Sequence, residues 1–125
     1  MSHISIIKTQ MVDKPLVLQA LTDLGLRFEQ GKFEIEGSSG KRTKINIKII
    51  SRYGNDIGLR KTKGSFEIVA DWWGVLGTSE KDFTDRLNQR YAYLAVKSKL
   101  EEQGFSLASE ERNSGKIHLV LRRVA

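Results

Sequence analysis

Three isoleucines, at positions 45, 47 and 49, alternate with polar residues in the segment 44–51. Successive side chains of an extended strand point to opposite faces, so this segment predicts a strand with one apolar face and one basic face. An apolar sheet face is stable only when another layer of structure covers it. The pattern therefore requires the rest of the chain to supply a cover for a half-buried sheet.

Two segments have the helical periodicity that such a cover needs. The first helix is predicted over residues 13–24, with an aspartate as N-cap and Gly25 in the left-handed position that follows. The second is predicted over residues 80–103, with Ser79 as N-cap and Gly104 as C-cap. Their apolar stripes are Val17, Ala20, Leu21 and Leu24 in the first helix, and Phe83, Leu87, Tyr91, Leu94 and Ala95 in the second.

The remaining segments read as short strands. Besides 44–51, they are 4–12, 28–30 and 33–36 (split by Gly31), the strands on either side of the Lys63-Gly64 turn, 105–109 and 117–122. The predicted fold is α+β, in the order β-α-β-β-β-β-α-β-β. Hairpin connections predict a mostly antiparallel sheet, with both helices on one face and the other face open or facing a partner. A length of 125 residues predicts a single domain over residues 1–125.

The composition limits the chemistry available to the chain. There is no cysteine, which excludes disulfides, thiolate nucleophiles and thiolate metal sites, and fits a reducing compartment. No apolar run approaches the ~20 residues of a membrane-spanning helix. The N-terminal residues lack the basic and apolar regions of a secretory signal. These features predict a protein without a membrane span.

No residue pattern predicts a catalytic, cofactor or metal site. His3 and His118 have no neighbouring residues in a zinc-binding pattern. If Met1 is retained, Met1-Ser2-His3 is a weak motif for square-planar Cu(II) or Ni(II). The segment 37–43 resembles a phosphate loop, but Ile35 stands where a glycine is needed and Arg42 where Ser or Thr is needed, so a hairpin turn is predicted. The carboxylates of Glu67, Asp71 and Asp56 could share a sheet face, as alternating strands often allow.

Positive charge is concentrated in the segment 41–63. That segment has eight basic residues and one acid, whereas the rest has 13 basic and 14 acidic residues, for an overall charge of +6. The eight are Lys41, Arg42, Lys44, Lys48, Arg52, Arg60, Lys61 and Lys63. A compact cationic segment is a candidate polyanion-binding surface. The alternative is a solvated, lysine-rich sheet edge.

Two further features are candidates for binding a protein. Trp72 and Trp73 are adjacent, so one ring is expected to pack under the second helix and the other to be exposed, with burial of both as the alternative. The second helix also carries a stripe at positions i, i+4, i+7 and i+11: Arg86, Arg90, Tyr93 and Lys97. This stripe is either a binding surface for an acidic partner beside the exposed tryptophan or simply the solvated back of the helix.

Several short motifs, in order along the whole chain, resemble a family of hypothetical chloroplast reading frames, number thirty-five in that series. They are Ser2 to Gln10, Ala20 to Gly25, Asp56-Ile57-Gly58, Val69-Ala70-Asp71, Gln89 to Tyr93 and Gln103-Gly104-Phe105. The resemblance implies a cyanobacterial cytoplasm or a plastid stroma, and it implies no reaction. The tryptophan pair and the richness of the basic segment depart from the family pattern.

The leading functional hypothesis is a small non-enzymatic binding or assembly module that docks a protein partner. The alternative is a nucleic-acid-binding domain that uses the basic segment 41–63. Only Tyr53 interrupts those charges with an aromatic ring, whereas single-strand binders stack bases on several rings. An enzyme built on carboxylates is a third hypothesis, for which the sequence offers no adequate motif.

Overall fold

The computed structural model describes residues 3–113 and 116–123, with the side chains of residues 3–106 and of Val120. The order of elements confirms the predicted one. The elements are β1 (Ser5–Lys8), α1 (Lys14–Asp23), β2 (Phe28–Glu36), β3 (Arg42–Ile49), β4 (Ile57–Thr62), β5 (Ser65–Ala70), a one-turn 3-10 helix (Trp72–Gly74), α2 (Glu80–Glu102), β6 (Phe105–Asn113) and β7 (Lys116–Arg123).

Five of the strands form one sheet in the order β1-β5-β4-β3-β2. All of its pairings are antiparallel, which confirms the α+β class. We expected a single sheet, but β6 and β7 pair with each other as a separate two-stranded sheet. The 23 residues of α2 extend about 35 Å. The six residues of β5 span only about 20 Å, so α2 is longer than this strand of the main sheet.

Both helices pack on the same face of the main sheet, as predicted. α1 contributes Val17, Ala20 and Leu21 to the core, and α2 contributes Phe83 and Leu87. The strands supply the opposite half of this core: Ile47, Ile49, Ile57, Leu59, Phe66, Ile68 and Ala70. Ile47 and Ile49 of β3 therefore receive their cover from the two helices that the sequence predicted.

The predicted N-caps begin both helices and Gly25 follows α1 as predicted, whereas the C-cap of α2 is Gln103, one residue before the predicted Gly104. The Asp13 side chain accepts a hydrogen bond from the Leu16 amide at 3.5 Å, and the Ser79 hydroxyl accepts one from the Asp82 amide at 3.1 Å. Gly25 follows α1 with a φ of +74°, a left-handed conformation that L side chains rarely adopt. Local sequence therefore sets where both helices start and where α1 ends.

Side chains also join the two helices to each other and to the preceding loop. The Tyr91 hydroxyl of α2 accepts hydrogen bonds from the amides of Val12 and Asp13, at 3.1 and 3.0 Å. Arg90 Nε donates to Asp23 Oδ2 of α1 at 2.9 Å. These contacts fix α2 relative to α1 and to the residues that precede α1.

Strand β2 is continuous through Gly31, where we expected an interruption. Gln30 pairs with Ile47, but the next paired residue, Phe33, lies opposite Ile45, so β2 has an extra residue at this point. Such a bulge bends a strand and increases its twist. The outer half of the β2–β3 hairpin consequently leaves the plane of the sheet.

This bent hairpin covers part of the face that we expected to be open. Ile45 does not join Ile47 in the helix-covered core; it packs with Ile35 and Val69 in a second buried cluster. A Cβ placed on Gly58 would lie 2.6 Å from the Ile45 side chain, so only glycine admits the hairpin there. The turn predicted over 37–43 joins β2 to β3, and its Gly40 amide donates to the Gly37 carbonyl at 2.9 Å.

Candidate docking surface

The residues after β5 form a tight turn around a buried carboxylate. Asp71 is only 1% exposed. Its Oδ1 accepts a hydrogen bond from the Trp73 amide at 3.3 Å, and its Oδ2 accepts one from the Ser38 amide at 3.0 Å. Asp71 therefore joins the end of β5, the tip of the β2–β3 hairpin and the 3-10 turn. Its buried carboxylate has a structural role, because it accepts the hydrogen bonds that hold these segments together.

A second loop clasps this turn from the other side. The Asn55 amide donates to the Gly74 carbonyl at 2.7 Å, and Asn55 Nδ2 donates to the Asp71 carbonyl at 3.1 Å. Gly54 forms a β-bridge with Val75. A Cβ on Gly54 would lie 2.8 Å from Leu76 Cγ. The two loops approach too closely for a side chain at Gly54, so their backbones are held in a defined position.

The clasped loops present three large apolar side chains to solvent. Trp73 is 82% exposed, Tyr53 68% and Leu76 59%. We call Tyr53, Trp73 and Leu76 the tryptophan surface. Contiguous exposed apolar patches are a mark of interaction sites in proteins. The sequence predicted one exposed tryptophan, and the structure identifies it as Trp73.

The neighbouring tryptophan is turned inward. The Trp72 ring packs against Phe83 of α2, with the ring centroids 5.8 Å apart and the planes at 51°. Its indole Nε1 is buried and has no hydrogen-bond partner among the described residues. The structure thus places the Trp72 ring under the second helix and leaves Trp73 exposed. This agrees with the first of the two alternatives drawn from the sequence and excludes burial of both rings.

The helix stripe meets the tryptophan surface at one residue only. Arg86 is exposed and lies near Leu76. Arg90 is paired with Asp23 and lies 4.4 Å from the Tyr93 ring centroid. Tyr93 is 8% exposed, which differs from its expected place on a solvated stripe.

The fourth stripe residue also lies away from this surface. Lys97 is half-buried, 3.8 Å from Glu101 on the same helix. Eleven residues separate Lys97 from Arg86, which places it about 16 Å further along the helix axis. The stripe is therefore not a continuous free surface, because α1 packs beside α2 and pairs with part of it.

Strand register places glutamates opposite half of the basic segment. Four of its eight cations face glutamates on neighbouring strands: Arg42 opposite Glu36, Lys44 opposite Glu34, Lys48 opposite Glu29 and Arg60 opposite Glu67. The ion-pair distances are 3.8 Å for Arg42, 4.0 Å for Lys48 and 2.9 Å for Arg60. The basic residues of the segment 41–63 are close together in the sequence. In the structure half of them face glutamates, so the segment does not form an equally dense positive surface.

The other four cations of the segment, Lys41, Arg52, Lys61 and Lys63, are exposed. Lys41 is at the β2–β3 turn and Lys63 at the β4–β5 turn. Arg52 lies 5.8 Å from the Tyr53 ring centroid, and Lys61 lies 5.8 Å from that of Phe66. Of these four, only Arg52 borders the tryptophan surface.

The Arg60–Glu67 pair gives the sheet a pH-dependent contribution to stability. Burial disfavours the charged form of Glu67, but hydrogen bonds from Arg60 and Thr62 and the attraction of Arg60 and Lys8 outweigh it, so the pKa of Glu67 is lowered below 4.5. A carboxyl whose pKa is depressed by folding stabilises the fold above its unfolded pKa. That contribution is lost as the pH falls through the folded pKa.

Glu67→Gln should therefore lower the free energy of unfolding by about 1–3 kcal/mol at pH 7, because Arg60 loses an ionised hydrogen-bond partner. Urea unfolding should show this difference shrinking as the pH is lowered below about 4.5. Glu29→Gln is the control, since Glu29 is 56% exposed at 4.0 Å from Lys48, and its effect should stay under about 1 kcal/mol. A Glu67→Gln effect that is unchanged at pH 3 would contradict this assignment.

The described residues show neither a metal cluster nor a membrane helix. No three His, Asp or Glu side chains within them converge at a distance suited to a metal ion. Nor is any helix in this part of the chain long and apolar enough to cross a bilayer. The weak N-terminal metal motif consists of the first two residues and His3, and those first two residues lie outside the described part of the chain. The side chain of His118 lies outside it as well.

Comparison with known proteins shows the relationships of this chain. Three relatives, each described as uncharacterized protein ycf35, are from Cyanophora paradoxa (29% identical over 126 residues), Pyropia yezoensis (31% over 126) and Guillardia theta (32% over 130). Each alignment covers 98% of this chain and 98% of the relative. The resemblance inferred from the short motifs is thereby confirmed.

No solved structure matches the chain. A family model described as protein of unknown function (DUF1257) matches residues 20–120. The chain belongs to the DUF1257 family.

Proposed function

We propose that this protein is a non-enzymatic docking module that binds a protein partner through the tryptophan surface. The observation that carries the proposal is the 82% exposure of Trp73 on a turn whose backbone is held from two sides. Tryptophan is among the residues that contribute most to protein interfaces. The relatives from algae support a place of action in a plastid stroma or a cyanobacterial cytoplasm.

The rigidity of the turn supports docking. Association loses free energy whenever it must order a loop or a side chain. The hydrogen bonds from Trp73 to Asp71 and from Asn55 to Gly74 fix the backbone before any partner arrives. A tryptophan has only two side-chain torsions to fix, so it offers a large contact area with a small loss of entropy.

The second candidate is a single-stranded nucleic acid, which one observation favours. Arg52, Tyr53 and Trp73 together have the composition of a base-stacking platform with a cation beside it. Against it, four of the eight cations in the segment 41–63 face glutamates. Binding to a phosphate backbone requires several unneutralised cations along one path. The protein partner is therefore the better supported of the two.

Affinity capture from photosynthetic cells tests the proposal, with wild type, Trp73→Ala and Val96→Ala as baits. Val96 is also apolar and 51% exposed, but it lies on α2 away from the clasped loops. Trp73→Ala should reduce the captured partner by tenfold or more, since a hot-spot residue contributes about 2 kcal/mol or more. Its thermal midpoint should stay near that of the wild type, because exposed substitutions change stability by about 0.5 kcal/mol or less.

Two further arms separate the alternatives. Trp72→Ala should unfold more easily, at the lower end of the about 3–5 kcal/mol seen for buried aromatic truncations, because Trp72 is only half-buried. Nuclease treatment of the extract should leave the captured partner in place. Loss of the partner on nuclease treatment, or equal capture by Trp73→Ala and Val96→Ala, would overturn protein docking at this surface.

A further inference from the structure

The outer half of the β2–β3 hairpin has few connections to the rest of the molecule. The β3–β4 pairing ends at Ile47 opposite Leu59, although both strands continue beyond that point. There the Asn46 Oδ1 atom accepts a single hydrogen bond from the Lys61 amide, at 3.4 Å. We call residues 33–46 the flap, because in the described part of the chain these strand residues pair only across their own hairpin.

The flap packs through a small cluster and bends at its base. Ile35 and Ile45 of the flap bury with Val69 of β5, a cluster of three buried residues where the main core has fourteen among the described side chains. The bulge of β2, between Gln30 and Phe33, lies directly at the base of the flap. Few buried apolar contacts are typical of segments that open locally at a lower free energy than the whole fold.

The tip of the flap is held by the same carboxylate that holds the tryptophan turn. Asp71 Oδ2 accepts a hydrogen bond from the Ser38 amide at 3.0 Å, and Asp71 Oδ1 accepts one from the Trp73 amide at 3.3 Å. The tip also lies against the residue before β1, since a Cβ on Gly37 would be 2.9 Å from Ile4 Cγ1. A closed flap therefore holds the Asp71 side chain in the orientation that the Trp73 amide requires.

We propose that the flap opens and closes as one unit, and that its closure, acting through Asp71, holds Trp73 in the position that binds the partner. The inference rests on the proposed docking function and specifies how that function is regulated. When the flap opens, the Asp71 carboxylate loses the Ser38 amide and gains access to water, which frees it to leave the Trp73 amide. Two sites are coupled when one two-state element biases both, and the flap is that element here.

Native-state hydrogen exchange of the isolated protein, read by mass spectrometry over a range of urea concentrations, tests the opening. Peptides covering 33–46 and 71–77 should exchange through one shared opening with a weak urea dependence, because that opening exposes little surface. Peptides from α2 should exchange through global unfolding, which has a strong urea dependence. The same strong dependence in 33–46 as in α2 would show that the flap does not open separately, and would overturn the proposal.

A reversible lock tests the coupling, since the chain has no cysteine of its own. In the double variant Ile4→Cys/Gly37→Cys, the close approach of the two positions suits a disulfide. Oxidation should slow exchange at least tenfold in 33–46 and also in 71–77, and reduction of the same molecule should reverse both changes. The β4–β5 turn at 63–64 is the control, and its exchange should stay within twofold.

Gly58→Ala tests the opposite direction. A Cβ on Gly58 would lie 2.6 Å from the Ile45 side chain, so the flap could not seat fully, while Asp71 and Trp73 themselves are unchanged. Exchange in 33–46 and 71–77 should become at least tenfold faster. Affinity capture from photosynthetic cells should yield at least threefold less partner than with the wild type. The disulfide variant decides the question if Gly58→Ala does not fold.

The outcomes separate this inference from the proposed function. If oxidation slows exchange in 33–46 but not in 71–77, Asp71 does not couple the two, and the inference fails while docking stands on the loss of partner by Trp73→Ala. If both segments slow together but Trp73→Ala captures as much partner as the wild type, the coupling stands and the docking function fails. A double variant that forms no disulfide on oxidation would show that the tip is not seated beside Ile4, and would also overturn the inference.

Discussion

Replacing Leu87 with alanine should lower the free energy of unfolding by about 2–5 kcal/mol. Leu87 is 0% exposed and lies in the core between α2 and the sheet. Its truncation removes buried apolar contacts and leaves a cavity that the surrounding rigid layers fill only in part. Urea unfolding followed by circular dichroism measures the difference.

Val96→Ala is the matched control for this truncation, because Val96 is on the same helix and 51% exposed. Its effect should be about 0.5 kcal/mol or less. The midpoint for Leu87→Ala should fall while the denaturant slope stays constant, as expected when the surface exposed on unfolding is unchanged. Equal stability losses for Leu87→Ala and Val96→Ala would show that α2 does not cover the sheet as described.

Asp71→Ala should lower the free energy of unfolding by about 2–4 kcal/mol and also weaken docking. The substitution removes the acceptor for two backbone amides, those of Ser38 and Trp73, and a buried amide left without a partner costs about 1–3 kcal/mol. The Trp73 turn and the hairpin tip should then open locally. Hydrogen exchange read by mass spectrometry should show faster exchange in peptides covering 37–40 and 71–77.

Asp13→Ala provides the control for Asp71→Ala, since Asp13 caps α1 through the Leu16 amide. Loss of an N-cap costs about 1 kcal/mol, and it should leave exchange at 71–77 unchanged. Asp71→Asn keeps one acceptor oxygen and should be intermediate. Unchanged exchange at both 37–40 and 71–77 in Asp71→Ala would mean that this carboxylate does not hold the tryptophan surface in place.

The features that follow from local sequence could be predicted. Asp13 and Ser79 cap their helices because a side-chain oxygen reaches an amide two or three residues ahead, which depends on neighbours in the chain. The stripe of α2 that contains Phe83 and Leu87 follows from helical periodicity. Antiparallel pairing follows from short connections, such as the turn at Lys63, whose φ is +52°.

The features that depend on non-local register could not be predicted. Ile45 has the same alternation as Ile47, but it packs with Ile35 and Val69 in the second cluster, beside the point where β2 has its bulge. Gly58 was a signal for this, because a glycine inside a strand marks close backbone approach. The sequence alone does not show which distant strand makes that approach.

The candidate site shows the same division. The adjacency of Trp72 and Trp73 predicts opposite environments, but the hydrogen bonds of Asp71 decide which ring is exposed. The charge of the segment 41–63 is visible in the sequence, whereas the placement of glutamates opposite half of its cations depends on the pairing of β2 with β3 and of β4 with β5.

Site-specific photo-crosslinking tests the central claim that Trp73 contacts a protein partner. A benzophenone amino acid is placed at position 73 in one strain and at the exposed Lys99 position in another, and living photosynthetic cells are irradiated. We expect a nuclease-resistant adduct of one defined mass from position 73 and none from position 99. No adduct from position 73, or the same adducts from both positions, would contradict it.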